Sequence, residues 1–479
     1  MNFLRRSLRF SGRSKSEREP EQQHGGSDSE REKPQPWCIL DFDVKNESDP
    51  HPCVTVLLVG AGSRGKCYSY FAVEFSKRMK IVGVVDPRAY PREDLQKMHR
   101  IDESNLFEDW SEAVEREKFA DAVIIATPDK LHKDPAIAFA KKGYHILLEK
   151  PMAVTAEDCE EIVSVCKESG VMLAVGHVMR YYPVSQKIKE IIDSGMIGDV
   201  VHIQHMEPVG HWHFAHSFVR GNWRNEQEST FSLLAKSCHD IDLINFWMAG
   251  KRCLKVSSFG HLSHFTKEHK PVGAASRCLD CSVEQTCPYS AKKIYLVDHA
   301  QQGMLGWPVN VVCSNSDCDI ESLTEALKTG PYGRCAYECD NDVVTNQVVN
   351  MEFEGGVTVA FTMMAFTHAM GARRTTIYGT KGELSNVGRG PVEVYEFLTK
   401  KRSTHPVTLS VFIPSHLMGH GGADYFILDN FVSAVGKNEP SRILTGPDET
   451  LRSHLLVFEA EKSRKENRTI LLENGREKV

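Results

Sequence analysis

The sequence predicts an α/β domain with a doubly wound parallel sheet, joined to a C-terminal α+β domain with a large open, mostly antiparallel sheet. Three observations predict it. Val54 to Val59 is an almost unbroken apolar run that ends in the spacing G-x-G-x-x-G at Gly60, Gly62 and Gly65. Short apolar runs then alternate with helical patterns as far as His177. Beyond that point most apolar runs follow one another directly, joined by turn signals such as Glu354-Gly355-Gly356 and Gly379-Thr380-Lys381-Gly382. Alternation of strand and helix makes a parallel sheet, and consecutive strands make an antiparallel one.

The elements follow in order. The run at Val54 suits a central strand covered on both faces. Ala61 to Ser76 reads as a helix with Tyr68, Phe71, Ala72 and Phe75 on its buried side. Ile81 to Val85 is a strand ending in Asp86, and Trp110 to Glu117 a short helix. Ala122 to Ala126 is a strand ending in Thr127-Pro128, and Leu131 to Lys142 a helix closed by Gly143. His145 to Leu148 is a strand ending in Glu149-Lys150-Pro151. Thr155 starts a helix that Gly170 ends, and Val171 to Val175 is the next strand. Ligands bind such sheets at the carboxyl ends of the strands, where Asp86, Thr127, Lys150 and His177 lie.

In the second half, Val184 to Asp193 and Ser237 to Trp247 read as helices and Val200 to Glu207 as a strand. Strands are expected at Val343 to Phe353, Val357 to Phe366, Arg374 to Tyr378, Val392 to Phe397 and Val407 to Phe412. Ala423 to Val435 and Thr450 to Arg464 read as late helices. The domain expectation is a tail without fixed structure at 1–52, a nucleotide domain at 53–177 and a substrate domain at 178–479. The last holds a cysteine-rich insertion at about 264–340. An open sheet has a broad face to cover, so a homodimer or higher homo-oligomer through it is expected.

Composition narrows the function. A chain of 479 residues with 41% hydrophobic content can bury a sizeable core. The net charge of −6 argues against a general nucleic-acid binder. No apolar run reaches membrane-spanning length, and no partner in a membrane is expected. Fourteen cysteines without a secretory signal read as thiols or metal ligands in a reducing, cytoplasmic compartment. Up to Ser16 the chain holds Arg5, Arg6, Arg9, Arg13 and Lys15 and no acid. That is a basic tail or, alternatively, a mitochondrial presequence.

The glycine turn is built for a dinucleotide. Gly60 allows the sharp turn, Gly62 leaves room for a pyrophosphate, and Gly65 lets the helix pack close to the strand. Ala61, Ser63 and Arg64 complete the loop around it. Asp86 lies about 20 residues past the third glycine, where a carboxylate binds the adenosine ribose and favours NAD. Arg88 is placed to meet a 2′-phosphate, which keeps NADP open as the second choice.

Three motifs stand together: this turn, Glu149-Lys150-Pro151, and Trp223-Arg224 followed by Lys236 to Asp242. Over about residues 53 to 470 the chain resembles the Gfo/Idh/MocA oxidoreductases (glucose–fructose oxidoreductase, inositol dehydrogenase and relatives). The resemblance implies a Rossmann domain, NAD or NADP, and an open-sheet domain that often mediates dimers. It implies oxidation of a secondary alcohol of a sugar, cyclitol or related polyol. The family lysine maps onto Lys150, and the histidine of H-x-x-D onto His239 with Asp242 as the later acid. Thr127, Pro128 and His132 map near the adenosine-side rim, with Glu149 beside the cofactor. Many members carry an aspartate four residues before the histidine; here that residue is Ala235, followed by Lys236. Two other functions fit the resemblance: a glycosidase that uses bound NAD transiently, and a non-enzymatic sensor that keeps the fold.

The residue chemistry agrees with a dehydrogenase. His239 is suited to take a hydroxyl proton, and Lys150 to hold the oxygen. Lys236, His239 and Asp242 are spaced to share a helix face, so Asp242 is expected to orient His239. Arg180, Tyr181, His211, Trp212, His213, Trp223 and Arg224 are the substrate-side candidates. His211, His213 and His216 read as a polar, aromatic-lined substrate loop in preference to a metal site. Cys278-x-x-Cys281 with Cys287 and a fourth ligand such as Cys335 is knuckle-like. Structural zinc and plain thiols are the two readings of it.

Overall fold

A computed structural model gives the fold and describes residues 51–479, apart from 249, 314–317, 410, 411, 474 and 479. The expected tail therefore falls outside the described residues, except for its last two positions. The chain opens with β1 (Val54–Val59), α1 (Ser63–Glu74), β2 (Met79–Val85), α2 (Ala89–His99) and β3 (Leu106–Phe107). It continues with α3 (Trp110–Glu115), β4 (Ala122–Ile125), α4 (Lys133–Lys141), β5 (His145–Leu148), α5 (Ala156–Glu168) and β6 (Leu173–Val175). The strands pair in parallel in the order β3-β2-β1-β4-β5-β6. The order reverses between β1 and β4, which opens a crevice at their carboxyl ends.

Local chemistry explains these elements. β4 is buried along its whole length, and β1 and β5 nearly so, as strands covered by helices on both faces must be. The Thr155 hydroxyl accepts from the Asp158 N–H at 3.2 Å and caps α5. Gly60 has φ +98°, in the left-handed region. A Cβ on Gly65 would stand 1.9 Å from the Gly60 carbonyl oxygen, so only glycine lets α1 sit this close to the turn.

The second part begins with α6 (Pro183–Asp193), β7 (Val200–Pro208), α7 (His211–Phe214) and a π-helical turn at Ala215–Arg220. It continues with α8 (Ser232–Ala235), α9 (Cys238–Trp247) and β8 (Cys253–His261). The cysteine-rich stretch carries α10 (Val309–Val312) and α11 (Ile320–Thr329). Then come β9 (Asn346–Phe353), β10 (Val357–Met364), β11 (Arg374–Gly379), β12 (Gly382–Val387), β13 (Val392–Glu396) and β14 (Arg402–His405). The chain closes with α12 (Ala423–Lys437), α13 (Pro447–Glu466), β15 (Ile470–Glu473) and β16 (Arg476–Glu477).

These strands form one ten-stranded sheet in the order β14-β13-β12-β11-β7-β10-β9-β8-β15-β16. It is antiparallel throughout except where β7 and β10 run parallel. The strands are mostly consecutive, as expected, with β7 inserted between β11 and β10. One expectation needs correction. The strand expected at Val407 to Phe412 lies earlier, at β14, where His405 pairs with Val392. Leu409 and Ile413 instead drop into the core, and 410–411 fall outside the described residues. One face of the sheet is buried through Ile203, Val349 and Phe361, in the same core as Ile241 and Ile244 of α9. On the opposite face, Phe259 and Tyr378 are exposed. Among the described residues, no helix is long and apolar enough to cross a membrane.

Two glycine variants separate folding from cofactor space. Gly65→Ala should destabilise the protein by about 1–3 kcal/mol in a denaturant titration, because the new Cβ collides with backbone. Gly62→Ala meets nothing closer than Arg88 Nη2 at 3.7 Å, so its unfolding midpoint should barely move. A Gly65→Ala variant as stable as the parent would contradict this reading of the turn.

Candidate functional site

The glycine turn is tied into the rest of the molecule by Arg64. Its Nε donates to Glu149 Oε1 at 2.9 Å. Its Nη1 and Nη2 donate to Asp424 at 2.9 and 3.1 Å. Its guanidinium lies 4.4 Å above the Tyr68 ring, and the Tyr68 hydroxyl donates to Glu149 Oε1 at 2.5 Å. Burial alone would raise both carboxyls. Together the charge of Arg64, that of Lys150 at Glu149 and His420 at Asp424, and the hydrogen bonds they receive outweigh burial, and both stay below the usual carboxylate range. Arg64 thus joins β1–α1, the end of β5 and the start of α12.

The other cofactor-side candidates divide. Beside Gly62 the nearest group is Arg88 Nη2, 3.7 Å from where a Cβ would stand. The carboxylate of Asp86 is already engaged. It accepts from the Ala61 N–H at 2.8 Å and from Arg88 Nε and Nη2, each at 2.9 Å. Burial would raise the Asp86 carboxyl, but the hydrogen bonds from Arg88 and Ala61 hold it below its ordinary value. Arg88 is therefore paired with Asp86 and does not stand free. His132 also departs from expectation. It is fully buried, with Nδ1 2.7 Å from the Pro151 carbonyl and Nε2 2.9 Å from the Thr127 carbonyl. It clamps the loops after β4 and β5 together and forms no rim. Thr127 turns its hydroxyl to the Leu131 carbonyl at 3.1 Å, and Pro128 opens the turn to α4.

Lys150 ends β5 beside this crevice. Its Nζ donates to the Ala235 carbonyl at 2.8 Å and lies 5.7 Å from the Trp223 ring centre. Trp223 is held by its Nε1–H on Asp129 Oδ2 at 2.9 Å. A backbone carbonyl therefore meets the lysine at the position of the missing aspartate.

His239 lies across from Lys150 at the start of α9 and is 6% exposed. Its ring centre is 5.5 Å from His177 and 6.3 Å from His420. Burial, then Lys150, His177, Arg373 and His420, push its pKa well below the ordinary imidazole value, so it is neutral near pH 7. Asp242 does not orient it. Asp242 takes a bidentate pair from Arg180, at 2.6 and 2.7 Å, with Ser453 Oγ donating at 3.0 Å. A buried guanidinium needs a carboxylate more than a neutral imidazole does. His239 Nδ1 is left buried without a hydrogen-bond partner.

Several substrate-side candidates are structural. Arg180 is spent on Asp242, and the Tyr181 hydroxyl accepts from the Leu444 N–H at 2.9 Å. Arg224 pairs with Asp340 at 3.0 Å and with Glu228. Lys236 caps α8 and so does not share the α9 face. It lies 3.4 Å from Glu207, and burial, helped by Arg373 and Lys150, lowers its pKa. Arg373 in turn holds Asp240 at 2.6 Å, and Asp240 meets His205 at 3.0 Å.

The aromatic segment packs against the cysteine-rich stretch. Trp212 and His213 meet Trp307 at ring distances of 5.4 and 5.0 Å. His211, His213 and His216 face different partners: the Thr367 carbonyl, the Val209 carbonyl and the Tyr295 hydroxyl. Cys278, Cys281, Cys287 and Cys335 line one small cavity with Arg220. Cys278 Sγ meets the Arg334 carbonyl and an Arg220 N–H, and Cys339 Sγ turns to the Cys335 carbonyl at 3.3 Å. Among the described residues, no group of three or more His, Cys, Asp or Glu is arranged to hold a metal ion.

Sequence reasoning missed His420 and Asp424. The signal was present in Gly419-His420-Gly421-Gly422 with an acid at 424, a histidine flanked by glycines.

Residues 54–177 match the model of an oxidoreductase family with an NAD-binding Rossmann fold. Residues 189–472 match that family's C-terminal alpha/beta domain. The Bacillus subtilis (strain 168) protein YteT is 25% identical over 417 residues, 82% of this chain and 92% of its own length. The 2,7-anhydro-N-acetylneuraminate hydratase of Mediterraneibacter gnavus is 31% identical over 201 residues, 41% of this chain. The match spans only 51% of that hydratase's length. A levoglucosan dehydrogenase solved with NADH and L-sorbose superposes with a TM-score of 0.62 at 16% identity, covering 88% of this chain and 99% of its own. The two family matches together take in most of the sequence, and the chain belongs to the Gfo/Idh/MocA oxidoreductase family.

Proposed function

We propose that this protein is an NAD-dependent oxidoreductase acting on a secondary alcohol of a sugar, cyclitol or related polyol. One observation carries the reading. The ammonium of Lys150 and the rings of His239 and His420 gather beside the crevice where β1 and β4 part. The family match and the sugar-related names of the relatives support the polyol class. Bound NAD supplies the hydride acceptor.

The chain's own groups do the rest. Lys150 holds the substrate hydroxyl oxygen and stabilises negative charge as its proton leaves. Trp223 beneath it and the Ala235 carbonyl fix the direction of the ammonium. His239, neutral and largely shielded from water, forms the opposite wall. Gly60, Gly62 and Gly65 give the cofactor its backbone approach.

NAD is preferred over NADP, because a 2′-phosphate would have to break the bidentate Asp86–Arg88 pair or stand against the carboxylate. Calorimetric titration of both cofactors should give tighter binding of NAD, and tighter binding of NADP would contradict the assignment.

Lys150→Ala should lower turnover on the order of 10²-fold, as for a lost acid–base or charge-holding group. The assay is NADH formation with a panel of monosaccharides, anhydrosugars and cyclitols. NAD affinity should change little, since Lys150 is not in the glycine turn. Undiminished turnover in this variant would remove Lys150 from the reaction.

A further inference from the structure

We propose that the hydroxyl proton is taken by His420 backed by Asp424, and not by His239; the proposal rests on the oxidoreductase reading above. His420 Nδ1 lies 2.9 Å from Asp424 Oδ1. The carboxylate is 1% exposed while the histidine side chain is 42% exposed. A buried carboxylate accepts and cannot donate, so Nδ1 carries the proton toward Asp424 and Nε2 is the nitrogen left to act on the substrate. The ring faces His239, with centres 6.3 Å apart.

The loop around it is shaped to hold this ring. His420, Gly421 and Gly422 have φ of +51°, +70° and +94°. A Cβ on Gly419 would fall 2.0 Å from Asp424 Oδ2, and one on Gly421 would fall 2.6 Å from the Tyr182 ring. Side chains are thus excluded on both sides of the histidine. A non-glycine residue in the left-handed region persists only where the surroundings fix it, and such positions cluster at functional sites. Asp424 sits in the first turn of α12 and is locked from the other side by both terminal nitrogens of Arg64. His239 has none of this support: its Nδ1 is buried without a partner, and Asp242 is committed to Arg180.

The step balances. The O–H bond breaks, the proton passes to His420 Nε2, and its electron pair becomes the carbonyl π bond as the carbinol hydride leaves for the oxidised nicotinamide. The half-exposed ring then returns the proton to solvent. Asp424 acts through His420 and is a positioning residue.

Two arms test this. The first needs no substrate: long-range ¹H–¹⁵N spectra of histidine-labelled protein, with His420 identified by its loss in His420→Asn. His420 should carry its proton on Nδ1 in the parent, and Asp424→Asn should abolish that preference. Protonation on Nε2 in the parent overturns the dyad. The second arm uses the polyol that the parent turns over. His420→Asn keeps a residue tolerant of positive φ and should lose on the order of 10²-fold in kcat. Its NAD affinity should not change. His239→Asn should lose less, and added imidazole should restore part of the turnover of His420→Ala. A larger loss in His239→Asn than in His420→Asn overturns the proposal. A parent inactive on the whole panel sinks the oxidoreductase reading and the proton-acceptor role with it, whereas the spectra judge the dyad by themselves.

Discussion

Arg64 is the constraint on which the site depends. It stands inside the glycine turn, between Gly62 and Gly65, and its guanidinium needs partners once it is covered. Glu149 from the end of β5 and Asp424 from the start of α12 supply them. The pairing fixes three things at once. It sets the cofactor turn against the Lys150 strand end, anchors the second part of the chain to the first, and holds the carboxylate beneath His420. Removing one partner of such a network leaves a buried charge, which costs more than the pair contributes.

A second buried pair joins Arg180 to Asp242. It removes the acid that α9 spacing seemed to offer His239. Burial first, then Lys150, His177, Arg373 and His420, hold the His239 imidazole well below its ordinary pKa. The carboxylate absent at Ala235 is replaced by a carbonyl toward Lys150. The acid that meets a histidine, Asp424, comes instead from α12, far along the chain.

The sequence made the local geometry legible. The glycine turn, the strand ends at Asp86, Thr127 and Lys150, the Thr155 cap and the hairpins at Gly355 and Gly379 follow from period and turn chemistry. The partners of buried charges were not legible, because spacing reports only neighbours along the chain. Asp242 looked available to His239 until Arg180 claimed it. Asp86 looked open until Arg88 closed on it, and His132 looked like a rim residue until two carbonyls buried it. The cysteines gathered at one cavity as their spacing suggested, yet the Cys278 thiol meets the Arg334 carbonyl and Arg220. The insertion of β7 between β11 and β10 is likewise a tertiary choice that no turn signal announces.

Isotope transfer tests most directly whether the crevice moves hydride from a polyol. The protein is incubated with NAD and polyols deuterated at the carbinol carbons, and the recovered cofactor is weighed by mass spectrometry. A reduced cofactor carrying deuterium from at least one polyol is the predicted result. Tight NAD binding with no deuterium reaching the cofactor from any polyol would contradict it.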